Sequence, residues 1–139
     1  MISIKLFLAC LVAGGAALFA IESIWYILEK KLDLTAKLPA EMVEAMGSGY
    51  FLSRLVSQFA FLVALPAVIY SWAYVLIPFY GVRAGMVLAL YLFIMGIIPF
   101  SSVFLMRIKL PLAYTLFQLA GYLVKLIVIY GIIAYLYIL

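Results

Sequence analysis

From Pro111 to Leu139 the chain carries a single charged side chain, Lys125, and it stands in the middle of the stretch. At ~1.5 Å per helical residue the stretch is about 43 Å long, which leaves Lys125 roughly 21 Å from either end. A lysine side chain does not reach water over that distance. It needs a partner, a wet cavity or a neutral state. Whatever this chain folds into must bring a polar group to Lys125.

Composition sets the solvent. Of the 139 residues, 71% are hydrophobic and 10% are charged, whereas soluble domains carry about 25% charged residues. Lipid takes the place of water around such a chain. Four runs meet the ~20 mostly apolar residues that a membrane crossing needs: Ile4 to Leu28, Tyr50 to Phe79, Gly81 to Met106, and Pro111 to Leu139. Backbone groups in hydrocarbon must hydrogen-bond within their own segment, so the runs are read as helices. The fold class is all-α: a polytopic membrane protein with four transmembrane helices in an antiparallel bundle, forming one domain. The remaining residues leave no room for a soluble catalytic or nucleic-acid-binding domain.

The start, Met1 to Ala20, resembles a signal peptide, with Lys5 ahead of an apolar run. The run continues to Leu28, long enough to span, and reads as a retained helix. Glu29, Lys30 and Lys31 close this span, with Trp25 and Tyr26 just inside as interfacial anchors. In the next segment, 29–49, Thr35 to Gly47 predicts a short helix, with Pro39 near its start and Gly47 as its C-cap. Leu38, Met42, Val43 and Met46 share one face, so this helix would lie flat on the membrane. An ordinary solvated loop is the alternative. Pro78-Phe79-Tyr80-Gly81 predicts a tight turn between spans two and three. Pro66 and Pro99 lie inside spans and are expected to kink them and free a carbonyl. Pro111 opens span four at the first helical position.

Basic residues near span ends set topology. Lys30, Lys31, Lys37, Arg54, Arg107 and Lys109 flank one side, and Lys5 and Arg83 the other. The positive-inside rule then puts segments 29–49 and 107–110 in the cytoplasm and both termini outside. The membrane is read as a prokaryotic cytoplasmic membrane. The net charge of +4 is assigned to this flanking role rather than to an anionic partner.

The candidate site emerges from a polar stripe. Tyr114, Thr115, Gln118, Gly121, Tyr122 and Lys125 recur at three- and four-residue steps and so line one face of span four. Span one offers Gly14, Gly15, Leu18, Glu22, Trp25 and Tyr26 on a matching stripe, and span two adds Arg54, Ser57 and Gln58. Lipid cannot satisfy these groups, so they should face inward. Glu22 reads as the one acid inside a span and as the counter-charge of Lys125. Span boundaries put their Cα atoms ~12 Å apart in depth. Side chains lean toward their own helix N-terminus, so in opposed helices the two lean toward each other. They meet directly or through Gln118, a tyrosine hydroxyl or water. Glu22, Lys125, Gln118, Tyr122, Gln58 and Arg54 make up the predicted intramembrane network. It is read either as an ion pair that fixes packing or as a proton- or ion-linked site; a Lys125 facing a partner subunit is the third reading.

On span three, Gly85, Ala89 and Gly96 share a face that would admit a close neighbour. The absent residue types narrow the chemistry. With no histidine, one cysteine (Cys10) and one aspartate (Asp33), no catalytic residue, metal site or cofactor is expected. Ser101 and Ser102 come after Pro99 without a neighbouring base.

In having four spans with a membrane acid on the first, the chain resembles the small multidrug exporters. The residues around Glu22, Phe19-Ala20-Ile21-Glu22-Ser23-Ile24-Trp25-Tyr26, depart from that family's pattern, and the likeness implies topology alone. The expected function is that of a non-enzymatic accessory or scaffold subunit within a larger membrane complex. The rival is a small oligomeric carrier or channel with a proton-linked Glu22/Lys125 site. The expected partners are the bilayer and other membrane subunits, or further copies of the chain, and not nucleic acid.

Overall fold

The computed structural model describes residues 3–32, 39, 47–108 and 111–138. Four helices account for almost all of them: α1 (Ile4–Leu32), α2 (Ser48–Ala73), α3 (Val82–Arg107) and α4 (Leu112–Ile138). Each is long and apolar enough to cross a membrane. No strand occurs among the described residues. The expected surface helix falls on positions that, apart from Pro39 and Gly47, lie outside the described residues. Gly47 is not a left-handed C-cap. Its φ of −144° and ψ of −178° are extended, and it stands at the N-cap of α2.

Two helix ends differ from expectation. α1 runs four residues past Leu28 to Leu32, which takes Glu29 into the helix. α2 stops at Ala73 rather than Phe79, and the Leu76 N–H closes a turn on the Ala73 carbonyl at 2.9 Å. Pro78 explains the early stop, since it lacks an N–H and disfavours helical backbone at Ile77. The tight turn expected at Pro78–Gly81 is therefore a longer connection, from Tyr74 to Gly81. Gly81 ends it at φ 69°, a left-handed conformation that glycine adopts without a Cβ clash.

Pro66 and Pro99 are met by the same device. A π-turn, Ala60–Ala64 in α2 and Phe93–Ile97 in α3, ends two residues before each proline. The Leu65 N–H bonds to the Ala60 carbonyl, and the Ile98 N–H to that of Phe93. These wider hydrogen bonds absorb the mismatch that a proline ring creates with the preceding turn.

α4 is the most buried helix and α3 the least. Leu126, Ile129, Tyr130, Ile133 and Ala134 of α4 form the centre of the core, with Cys10 and Leu18 of α1 and Val63, Ala67 and Tyr70 of α2 around them. Glycines set the close approaches. A Cβ on Gly14 would stand 2.8 Å from the Val63 side chain, and one on Gly121 would stand 2.6 Å from the Trp25 indole nitrogen. On Gly85 it would run into the backbone carbonyl of Tyr130. α3 thus reaches α4 backbone to backbone through Gly85, beside the buried Ala89. Gly96 plays no such part. It is exposed, with nothing within 4 Å of the position its Cβ would take.

Beyond the core much of the described surface is apolar, with the exposed charges Lys5, Lys30, Lys31, Arg83 and Arg107 near helix ends. Val12, Phe61, Trp72, Met95, Phe100 and Leu116 all point outward. Such a surface is stable in hydrocarbon and would aggregate in water. By length and composition the four helices are compatible with an integral membrane protein.

Candidate functional site

Glu22 is fully buried, and its two carboxylate oxygens face two different cations. One oxygen lies 2.5 Å from Arg54 Nε, and the other pairs with Lys125 Nζ. Arg54 extends the chain of charges, since its Nη1 donates to Glu29 Oε2 at 2.8 Å. The order is Lys125, Glu22, Arg54, Glu29: alternating signs, two acids and two bases, with no net charge.

Neutral groups complete the shell. Lys125 Nζ donates to Gln58 Oε1 at 2.7 Å and lies 5.2 Å from the centre of the Tyr122 ring. Arg54 Nη2 donates to Gln118 Oε1 at 2.9 Å, and Nη1 donates to the Tyr50 hydroxyl at 3.2 Å. The guanidinium suits this place because its planar fork offers five N–H donors in fixed directions. One arginine of α2 thereby ties together α1, through Glu22 and Glu29, and α4, through Gln118.

Local sequence positions these groups. Glu22 and Glu29 are seven residues apart on α1, two turns along one face, and Tyr50, Arg54 and Gln58 succeed one another at four-residue steps on α2. Leu18 is buried one turn from Glu22 on α1. Trp25, read both as an interfacial anchor and as part of the inward stripe of span one, lies over Gly121, stacks on Phe117 at 5.2 Å and donates its indole N–H to the Phe117 carbonyl at 3.3 Å. That contact fixes α1 against α4 close to the charge pair.

All six predicted network residues therefore come together: Glu22, Lys125, Gln118, Tyr122, Gln58 and Arg54. The pairing of Glu22 with Lys125 is direct. Two further members were not expected. Glu29 reads in sequence as a charge that closes span one, and the reading that Glu22 alone is an acid within a span is corrected by its burial inside α1. Tyr50 was expected only to begin span two. The spacing of Glu29 to Glu22 and of Tyr50 to Arg54 held the signal. Ser57, expected to face inward, is exposed on α2. Ser102 donates to the Pro99 carbonyl of its own helix at 2.7 Å, whereas Ser101 lines a cavity.

Two cavities border the network. One, of about 440 Å³, lies between α2 and α4 and is lined by Tyr50, Ser53, Arg54, Ser57, Gln58, Tyr114, Gln118 and Tyr122. The other, of about 450 Å³, lies between α3 and α4 and is lined chiefly by Phe100, Phe104, Leu105 and Leu119, with Ser101, Thr115 and the same Tyr114, Gln118 and Tyr122. Past Lys125 the polar groups give way to Leu18, Val63, Leu126, Ile129 and Ile133, all buried. Among the described residues no three His, Cys, Asp or Glu side chains converge as metal ligands.

The chemistry open to this arrangement is electrostatic cross-linking of helices and hydrogen bonding to whatever enters the cavities. Comparison with family models, curated proteins and solved structures finds no match.

Proposed function

We propose that the chain is a non-enzymatic accessory or scaffold subunit, an antiparallel four-helix bundle that packs within a larger complex in a prokaryotic cytoplasmic membrane. The observation that carries this reading is the closed charge balance of Lys125, Glu22, Arg54 and Glu29. A neutral, mutually paired set holds helices in register, and the apolar plug beyond Lys125 supports a static role over a conducting one. The antiparallel arrangement is supported by the order of contacts. Late α1 meets early α4 through Trp25 and Phe117, and Gly81, just ahead of α3, and Gly85, in its first turns, meet Ile138 and Tyr130 of α4. The Ile98–Arg107 half of α3 buries no residue, which supports a packing face for another membrane component. Both termini are proposed to lie outside, on the count of basic residues near the span ends.

A second reading is favoured by one observation, the cavity lined by Arg54 and Gln58. It gives a solute a way to the edge of the network, as a small oligomeric carrier with a proton-linked Glu22/Lys125 site would need. Gentle purification and then mass spectrometry of the intact assembly separates the two. Stoichiometric foreign subunits support the accessory role. A homo-oligomer alone overturns it in favour of the carrier.

A further inference from the structure

Four hydroxyl groups in these helices are satisfied in the same way. Ser23, Ser71, Ser102 and Thr115 each donate to a carbonyl of their own helix three or four residues back, or to the residue just before it. In hydrocarbon that is how an isolated hydroxyl is satisfied. Ser48, Ser53, Ser57 and Ser101 make no side-chain hydrogen bond among the described residues; Ser48 lines a separate cavity near the start of α2, and the other three line the two cavities beside the network. A hydroxyl left without a partner in an apolar medium costs about 1–3 kcal/mol on mutational scales. Three unpaired hydroxyls gathered along one cleft point to an occupant.

The two cavities share Tyr114, Gln118 and Tyr122, so they adjoin along α4 and are treated together as one cleft. The sides differ in character. The α2 side adds Tyr50, Ser53, Ser57 and the Arg54 guanidinium, whereas the α3 side is walled chiefly by Phe100 and Phe104, with the Ser101 hydroxyl between them. Ser53 and Ser57 are exposed, so the polar side opens laterally toward the bilayer. Each volume falls within the ~300–1,000 Å³ range of small-molecule sites. A polar chamber adjoining an aromatic slot matches a lipid that lodges its headgroup against α2 and its chain against α3.

Charge decides the kind of headgroup. Among the described residues Arg54 is the one cation that lines the cleft, and Glu22 and Glu29 already neutralise it. An anionic phosphate would meet no net positive charge and would have to compete with two carboxylates. Serine and tyrosine hydroxyls both donate and accept. Their natural complement is a head that also does both. We propose that this cleft binds a lipid with an uncharged, hydroxyl-rich headgroup, of the neutral glycolipid class. The site is independent of the accessory-subunit reading.

The test uses the full chain in detergent micelles, titrated with three lipids of matched acyl chains and read by native mass spectrometry. The probes are monoglucosyl diacylglycerol, phosphatidylglycerol and phosphatidylcholine. The glucosyl lipid is expected to bind about tenfold more tightly than either phospholipid, the equivalent of one or two net hydrogen bonds. Ser57→Phe, which fills the polar chamber from an exposed position, is expected to abolish that preference. Ser53→Ala with Ser57→Ala removes the hydroxyls without adding bulk and is expected to weaken glucosyl-lipid binding severalfold at unchanged thermal stability. Equal binding of the three lipids, a preference for either phospholipid, or a preference that survives both sets of substitutions overturns the proposal.

Discussion

Arg54 Nε stands 2.5 Å from Glu22 Oε1, joining the middle of α1 to the first half of α2 at a carboxylate that no solvent reaches. Since Lys125 holds the other oxygen of the same carboxylate, one acid fixes three helices. Removing one member of this set leaves the others unbalanced, and the effects can be measured one residue at a time.

Arg54 makes the most contacts, and its loss should be the most damaging. Arg54→Met leaves Glu22 and Glu29 with Lys125 alone and strips the donors from Gln118 and Tyr50. The expected loss is about 3–5 kcal/mol, as for a broken buried ion pair. Arg54→Lys should recover little, because an ammonium cannot span the directions to both acids and the Gln118 amide. Thermal unfolding in detergent, monitored by circular dichroism, checks the order wild type, Lys, Met.

The backbone contact of Gly85 with Tyr130 predicts a site of steric intolerance. Gly85→Leu should push α3 off α4 and destabilise by about 1–3 kcal/mol, the usual range for overpacking. Gly96→Ala, on the same helix but in open space, should change stability by no more than about 0.5 kcal/mol. Comparing the two by thermal melting separates helix packing from a general effect of helical glycines. Equal shifts would contradict the contact.

Much of the network is legible in the amino-acid sequence. Lys125 demands a counter-charge, and the three- and four-residue steps on spans one, two and four single out the residues that supply it. Glu29 escapes such a reading because the pair Lys30 and Lys31 beside it reads as a helix end, while α1 in fact continues to Leu32 and turns Glu29 inward. The end of span two is misplaced for a related reason. Hydropathy stays high through Val75 and Leu76, and only the backbone limits set by Pro78 stop the helix. The π-turns at Ala60–Ala64 and Phe93–Ile97 have no hydropathy signal. They are a local adjustment to a proline, and the sequence announces the proline rather than the adjustment.

Each π-turn acts as one inserted residue, so it rotates the rest of its helix by about 100° relative to a regular one. In α2 it lies between Arg54 and Gln58 on one side and Tyr70, packed edge-on against Tyr137 at 4.9 Å, on the other. Deleting the outward-facing Phe61 alone should put these two faces out of register. Deleting it together with Pro66→Ala should restore a regular helix with both faces aligned. The double variant is expected to melt above the single deletion, and the reverse order would show that the wide turn does not set the register.

The central claim is that Glu22 and Lys125 are partners in a balanced set, and a double-mutant cycle tests it most directly. Glu22→Gln and Lys125→Met each leave one unmatched charge in the bundle, whereas the two together leave Arg54 paired with Glu29. Thermal unfolding of the four proteins should show each single change destabilising by about 3–5 kcal/mol and the double change recovering about 0.5–3 kcal/mol of the summed loss. Losses that simply add, with no coupling between the two positions, would contradict the network.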